Sequence, residues 1–323
     1  LAGALINRQK GAGLTKKKET NTDMMVRATA ADGTVRCVAA VTTNLVAEAA
    51  RRHGTSPTVA AALGRTLTGT LLLGANLKEL DRLTVQIVCD GPIGGITAET
   101  NARGLVRGYV RQPDANPPLN AGGKLDVSAV VGRGMFYVTH ESGFDIGLYK
   151  EPYRGSVPLV SGEIGEDFAY YLAKSEQIPS AVLLGVYLRG RESGDAWVEA
   201  AGGLMIQMMP GADEKTVAAI ERAVQGAPHT TTLIRDGARP VDLLSTVLGA
   251  VPFEVLEEKP VSFACLCSYE RAVSLISSID RKELETILRE DKGAALTCHF
   301  CNETYRLDET ALESILADAP AAN

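Results

Sequence analysis

Four of the six cysteines stand in two close pairs near the C-terminal end of the 323-residue chain. Cys265 and Cys267 form a C-x-C within Phe263-Ala264-Cys265-Leu266-Cys267-Ser268. Cys298 and Cys301 form a C-x-x-C within Thr297-Cys298-His299-Phe300-Cys301-Asn302, and thirty residues separate the pairs. Each pair offers two sulfurs from one tight turn, and the chain between them can fold back. Four thiolates so placed satisfy a closed tetrahedral Zn²⁺ site. Such a site keeps no open position for substrate, which argues against zinc catalysis and makes His299 a bystander rather than a ligand. The same closeness lets each pair collapse into a local disulfide once the metal leaves. The cluster is therefore a structural staple or a redox switch. A module this small has little core, so losing the metal should unfold much of it.

The rest of the chain narrows the class. Clustered thiols in a protein of this size point to a reducing compartment rather than a secreted disulfide framework. Cys37 and Cys89 fall within apolar runs, 35–41 and 83–89, and read as core residues. Acidic residues outnumber basic ones, 39 to 33, and the formal net charge of −6 argues against a nucleic-acid-binding surface. Residues 57–77 are long and apolar enough to span a membrane, but Arg65 lies near their middle and no aromatic belt flanks them. A central Arg costs about 2.5–3.5 kcal/mol on insertion scales, so this stretch reads as a buried core helix and not a span.

Catalytic motifs are missing from the sequence. There is no G-x-x-x-x-G-K-[ST], H-E-x-x-H, G-x-S-x-G or S-x-x-K set. Tyr170 and Lys174 have a dehydrogenase-like spacing but no companion glycine-rich turn. A thioredoxin-like role would want the C-x-x-C at a helix N-terminus near the start of its domain. The chain reads as a non-enzyme.

Residues 1–23, basic at Lys16, Lys17 and Lys18, read as a disordered tail outside the fold. They either precede a start at Met24 or Met25 or are the remnant of an organellar transit peptide. Residues 24–210 read as an α+β domain, sheet-rich with a buried central helix. Its strands are expected at 26–31, 35–41, 83–89, 96–100, 105–110, 135–139, 182–188 and 197–208. Helices are expected at 43–52, capped by Thr43 and closed by Gly54, from Pro57 to about Lys78 behind the Ser56 cap, and at 164–175. Gly202-Gly203 marks a bulge or a close backbone approach. Short amphipathic helices at 213–225 and 241–248 make 211–260 a helical linker needing a docking surface, with 252–261 extended. Residues 261–323 form the Cys₄ zinc-binding domain, with helices at 281–290 and 307–317.

At this point the chain resembles the heat-shock protein 33 family of redox-regulated chaperones over about residues 26–315. The C-x-C and C-x-x-C at this wide separation are the most specific motif. Arg51-Arg52-His53-Gly54-Thr55, Asp90-Gly91-Pro92-Ile93-Gly94, Ser175-Glu176-Gln177-Ile178-Pro179-Ser180 and Met209-Pro210-Gly211 also fit. The basic tail departs from the bacterial pattern and leaves the cytoplasm or an organelle open as the compartment. The resemblance implies an ATP-independent holdase, inactive while Cys265, Cys267, Cys298 and Cys301 hold one Zn²⁺. Oxidation would then join Cys265 to Cys267 and Cys298 to Cys301, release the metal, destabilise the linker and expose apolar surface to unfolding clients. It also implies a homodimer when oxidised; the charge balance and Arg65 in the apolar stretch leave no nucleic-acid or membrane partner expected. The rivals are a constitutive zinc-ribbon adaptor and, more weakly, a thiol-disulfide oxidoreductase.

Overall fold

The computed structural model describes residues 22–143, 151–190 and 196–318. Two antiparallel-dominated sheets enclose a central helix, and each begins with the hairpins that the alternation of apolar residues predicts. β1 (Met24–Ala30) pairs with β2 (Val35–Val41) from Met24↔Val41 to Ala30↔Val35. The turn uses left-handed Ala31 and Asp32 before Gly33. β8 (Ser180–Gly190) and β9 (Ala196–Met208) join them, and β10 (Phe253–Pro260) closes the first sheet in the order β10-β1-β2-β9-β8. The second sheet contains β3 (Asp81–Cys89), β4 (Ile96–Asn101), β5 (Leu105–Val110), β6 (Gly134–Ser142), β7 (Tyr153–Pro158) and the two-residue β11 (Ser262–Phe263). Its order is β11-β5-β4-β3-β6-β7, and only β11 runs parallel to its neighbour.

Between the sheets lies α2 (Pro57–Leu73), opened by Ser56, whose hydroxyl accepts from the Val59 amide, and by Pro57 at the first helical position. It stops at Leu73, short of the expected Lys78, and passes into a 3₁₀ turn at Gly74–Asn76. By length and composition the segment Pro57–Asn76 could cross a membrane, yet 89% of its apolar window is buried inside the protein. Arg65 pairs with the Glu163 carboxylate at 2.6 Å and also donates to the Glu163 carbonyl at 3.1 Å. The cation of an apolar helix is thereby paired through one nitrogen, while its buried Nε has no hydrogen-bond partner among the described residues.

The central strands of the first sheet, β1, β2 and β9, are buried on both faces, with layers above and below them. Met25, Val38, Ala40, Ala201 and Met205 face α2 and α1 (Thr43–His53). Val26, Ala28, Val35, Cys37, Ala39, Leu204 and Ile206 face the opposite way. That second face is covered by α5 (Glu214–Gln225), α6 (Thr230–Arg235) and α7 (Pro240–Leu248), through Ile220, Leu243, Leu244, Val247 and Leu248. Gly185 and Gly202 let α6 approach: a Cβ on Gly185 would lie 2.6 Å from Thr231 Cγ2, and one on Gly202 2.6 Å from Ile234 Cδ1. The Gly202-Gly203 signal thus marks a close approach, while the register shift lies at Tyr187/Leu188 on β8.

Several expectations are corrected. Phe253–Pro260 is extended as expected, but it is bonded into the first sheet as the edge strand beside β1, so the end of the expected helical linker is sheet. The short helices α3 (Val127–Val131), α6 and α8 (Tyr269–Ile276) and the edge strand β7 carry patterns too brief to announce themselves. Gly293–Thr297 (β12) and Thr304–Asp308 (β13) make a third, two-stranded sheet, so the last helix, α10 (Glu309–Asp318), starts after Leu307. The tail expected over residues 1–23 lies outside the described residues for 1–21, whereas Asp23 belongs to the fold.

Asp23 also replaces the cap expected from Thr43, which is already helical. Its Oδ1 accepts from the Asn44 amide at 3.1 Å and its Oδ2 from the Leu45 amide at 2.6 Å, at the positive end of α1. Burial raises its carboxyl to about 6 despite these bonds. Because the folded value lies above the unfolded one, this group's contribution is complete below about 4 and is lost as pH rises through about 6. Relative to an Asp23→Asn variant, wild-type stability should therefore fall between pH 4 and pH 6 in denaturant titrations. A gap that grows in the wild type's favour over that interval would show that the ionised carboxylate outweighs its burial cost.

Candidate metal centre

The C-x-C lies where extended chain turns into helix. β11 pairs with β5, and the Ala264 amide donates to the Val106 carbonyl at 3.0 Å. Successive side chains alternate in extended chain, so Cys265 and Cys267 share a side. Ser268 then caps α8 by accepting from the Arg271 amide. The C-x-x-C occupies the turn between β12 and β13. There the Cys298 amide donates to Glu303 O at 2.8 Å and the Asn302 amide to Cys298 O at 2.7 Å. Asn302 takes a left-handed φ of 59°, which Asn tolerates better than most residues.

The fold brings together all four cysteines singled out from the sequence. Their sulfurs all lie within 4.8 Å of one another, with close contacts between the two pairs. Cys265 Sγ is 3.7 Å from Cys298 Sγ, and Cys267 Sγ is 3.3 Å from Cys301 Sγ. A tetrahedral site with ~2.3 Å metal–sulfur bonds separates its sulfurs by about 3.8 Å, and a set of four soft thiol donors suits such a metal. The residues therefore fit a metal ion. His299 lies outside the cluster, its ring 6.1 Å from that of Tyr109.

Electrostatics divides the four. Burial disfavours the Cys265 thiolate, but the Arg107 guanidinium at 3.4 Å and the Cys267 amide and thiol outweigh it and hold Cys265 down to about 7. Burial and the neighbouring thiols push Cys301 well above the usual thiol range, and burial raises Cys298 too. Charge on one sulfur resists charge on the next, and a divalent cation removes that resistance. Tyr305 donates to Cys267 Sγ at 3.1 Å, a bond that raises its own phenol. A cavity of about 280 Å³ opens onto the cluster between Arg52, Phe263 and Tyr305.

Sequence reasoning missed the contacts made by the sheet domain. Arg107 on β5 stands 4.1 Å over the Phe300 ring, with its other face of charge answered by Glu99 at 2.8 Å. Arg52 and His53, at the C-terminal end of α1, reach Cys301 O at 3.4 Å and Phe300 O at 3.2 Å. The only hint in the chain is the Arg51-Arg52-His53-Gly54-Thr55 stretch, quoted for the family resemblance and not for its place at the cysteines.

Comparison with known proteins agrees with this arrangement over nearly the whole length. The family model described as Hsp33 protein matches residues 23–308. The 33 kDa chaperonin of Bacillus subtilis (strain 168) is 47% identical over 294 residues, covering 91% of this chain and 98% of its own. That of Desulforamulus reducens is 46% identical over 294 residues, covering 91% and 97%. The crystal structure of the Thermotoga maritima 33 kDa chaperonin (heat shock protein 33 homolog) matches with a TM-score of 0.82 at 36% identity, covering 92% of this chain and 98% of that one. With its thiol quartet, two-sheet architecture and full-length relatives in agreement, the chain belongs to the Hsp33 family.

Proposed function

We propose that this protein is an ATP-independent holdase chaperone whose thiol cluster switches it on under oxidative stress. The observation that carries the reading is the convergence of four sulfurs within 4.8 Å at the end of a chain whose preceding segment covers an apolar sheet face. Cys265, Cys267, Cys298 and Cys301 would hold one Zn²⁺ in the reduced state. When bound, the ion keeps the thiolates deprotonated and ties the C-x-C to the β12–β13 turn. Each cysteine pair, Cys265 with Cys267 and Cys298 with Cys301, loses two electrons to one peroxide and joins as a disulfide. The peroxide takes two protons from solvent and leaves as two waters, and the site, left without thiolates, releases Zn²⁺. The module 261–323 then loses its cross-link, and the segment 211–260 loosens from the first sheet.

The surface so uncovered is apolar and broad: Val26, Ala28, Val35, Cys37, Ala39, Leu204 and Ile206. It suits hydrophobic segments of unfolding client proteins rather than nucleic acid or a membrane. The oxidised form is a homodimer, and the protein acts in the cytoplasm, as befits a reduced thiol cluster and bacterial relatives.

Zinc release to a chromogenic chelator and suppression of client aggregation, each followed before and after peroxide at raised temperature, test the reading. Activity gained together with zinc loss is expected. Suppression unchanged by redox state would favour the constitutive adaptor, and turnover of a small disulfide substrate would favour the oxidoreductase.

Cys37 supplies an internal reporter. It is fully buried beneath α7, and burial pushes its thiol up to about 12. Oxidation consumes the four clustered thiols, so later alkylation reads Cys37 and the half-buried Cys89. Peptide mass spectrometry should show Cys37 unmodified in the reduced protein and modified once the cover lifts. A client-binding form in which Cys37 stays protected would mean that α5, α6 and α7 are not the moving cover.

A further inference from the structure

The turn carrying Cys298 and Cys301 is gripped from outside its own module. Four side chains of the sheet domain make the contact, and they come from elements far apart in sequence. Arg107 stacks over Phe300 at 4.1 Å and reaches Cys265 Sγ at 3.4 Å. Tyr109, two residues along β5 and so on the same side of the strand, meets Phe300 edge-on at 5.4 Å. His53 Nε2 lies 3.2 Å from the Phe300 carbonyl oxygen, and Arg52 reaches both Cys301 O at 3.4 Å and Glu303 Oε2 at 3.3 Å. In return, Asn302 Nδ2 donates to the Arg52 carbonyl at 2.9 Å, in the last turn of α1, where carbonyls need donors from outside the helix.

We propose that this grip is a brake on the switch: docking of the 298–303 turn onto α1 and β5 slows opening of the cysteine cluster, so the sheet domain sets the oxidation threshold. The inference rests on the proposed metal-held, oxidation-released state. It adds a route by which the sheet domain and the cluster communicate without the 211–260 cover. The physical basis is that Cys298 and Cys301, whose sulfurs lie within 4.8 Å in the cluster, must reshape their turn to close to disulfide distance, and that turn is pinned at Phe300 and Asn302. The contacts range from half-buried to exposed and include one Arg–aromatic stack, one aromatic pair and several hydrogen bonds to main-chain oxygens. Arg107 is itself fixed by the little-exposed Glu99, so its guanidinium is oriented before the turn docks.

The test uses the full reduced chain loaded with one zinc per molecule. Phe300→Ala removes both ring contacts and leaves all four cysteines in place. Zinc release under a fixed dose of peroxide, read by chelator absorbance, should quicken by about ten-fold, the scale of losing one stack and one aromatic pair. Hydrogen exchange should rise at 105–110 and at 298–303 before any oxidant is added, with zinc content unchanged. Release at the wild-type rate would overturn the brake. Asn302→Gly keeps the left-handed backbone, removes only the bond to Arg52, and gives the same decision should Phe300→Ala fail to retain zinc. The parent reading fails separately: zinc would leave the wild type with no gain in aggregation suppression, and the relative release rates would still judge the brake.

Discussion

Replacing Cys298 by Ser is expected to leave the reduced protein without stoichiometric metal and with its C-terminal module unfolded, while both sheets stay intact. The module has little else to hold it. Its core is Ala272, Ile276, Leu284, Leu307, Leu312, Ile315 and Leu316, and among the described residues its own sheet is the two-stranded β12–β13 hairpin. A two-stranded hairpin is marginal alone, and so few side chains do not stabilise a chain of this length. A structural zinc contributes roughly 10–16 kcal/mol of apparent folding energy in small modules, which exceeds what such a core supplies. Hydrogen exchange measured peptide by peptide should show amides from β12 to α10 exchanging as in an open chain. Those of β3, β4 and α2 should remain protected. A protected module in the zinc-free variant would show that the metal is not its main support.

The second large effect belongs to α7. Leu244→Asp should convert the reduced, zinc-loaded protein into one that binds an apolar dye and suppresses client aggregation without oxidant. Leu244 is fully buried against the face formed by β1, β2 and β9. Removing a buried leucine side chain costs about 2–5 kcal/mol, and an unpaired buried carboxylate adds several more. A nine-residue helix has little stability of its own, so that loss should lift α7 and expose the face it covers. The sheet keeps its other buried face against α1 and α2, so the domain should remain folded. Zinc content should stay at one per chain. A variant with α7 released, zinc retained and no aggregation suppression would place client binding elsewhere.

Both expectations draw on what could be read in the chain, but to different degrees. The Leu243, Leu244, Val247, Leu248 stripe announces an apolar helix face, and its spacing demands a partner surface. It says nothing of which surface. The answer came from β1, β2 and β9, whose alternation Val26, Ala28 and Val35, Cys37, Ala39 is apolar on both sides. Apolar residues on both faces of a strand announce burial on both faces, yet no helix is named by that pattern. The same limit applies to β10. Its residues read as extended, but pairing with β1 joins Met24 to Pro260 across most of the chain. Arg27 and Glu257, 2.7 Å apart, are unremarkable as separate surface charges.

The cysteine quartet and the buried helix α2 were determined by sequence alone. Metal-ligand spacing is local, and an apolar run bracketed by Ser56-Pro57 carries its own start signal. Tertiary structure alone decided that Asp23 caps α1, that β10 and β11 enter different sheets, and that Arg52, His53, Arg107 and Tyr109 meet the cysteine turn. The reason is physical. Periodicity and capping are set by neighbours a few residues apart, where one turn of backbone fixes the geometry. Contacts between distant elements depend on how whole layers pack, and no residue carries that information by itself.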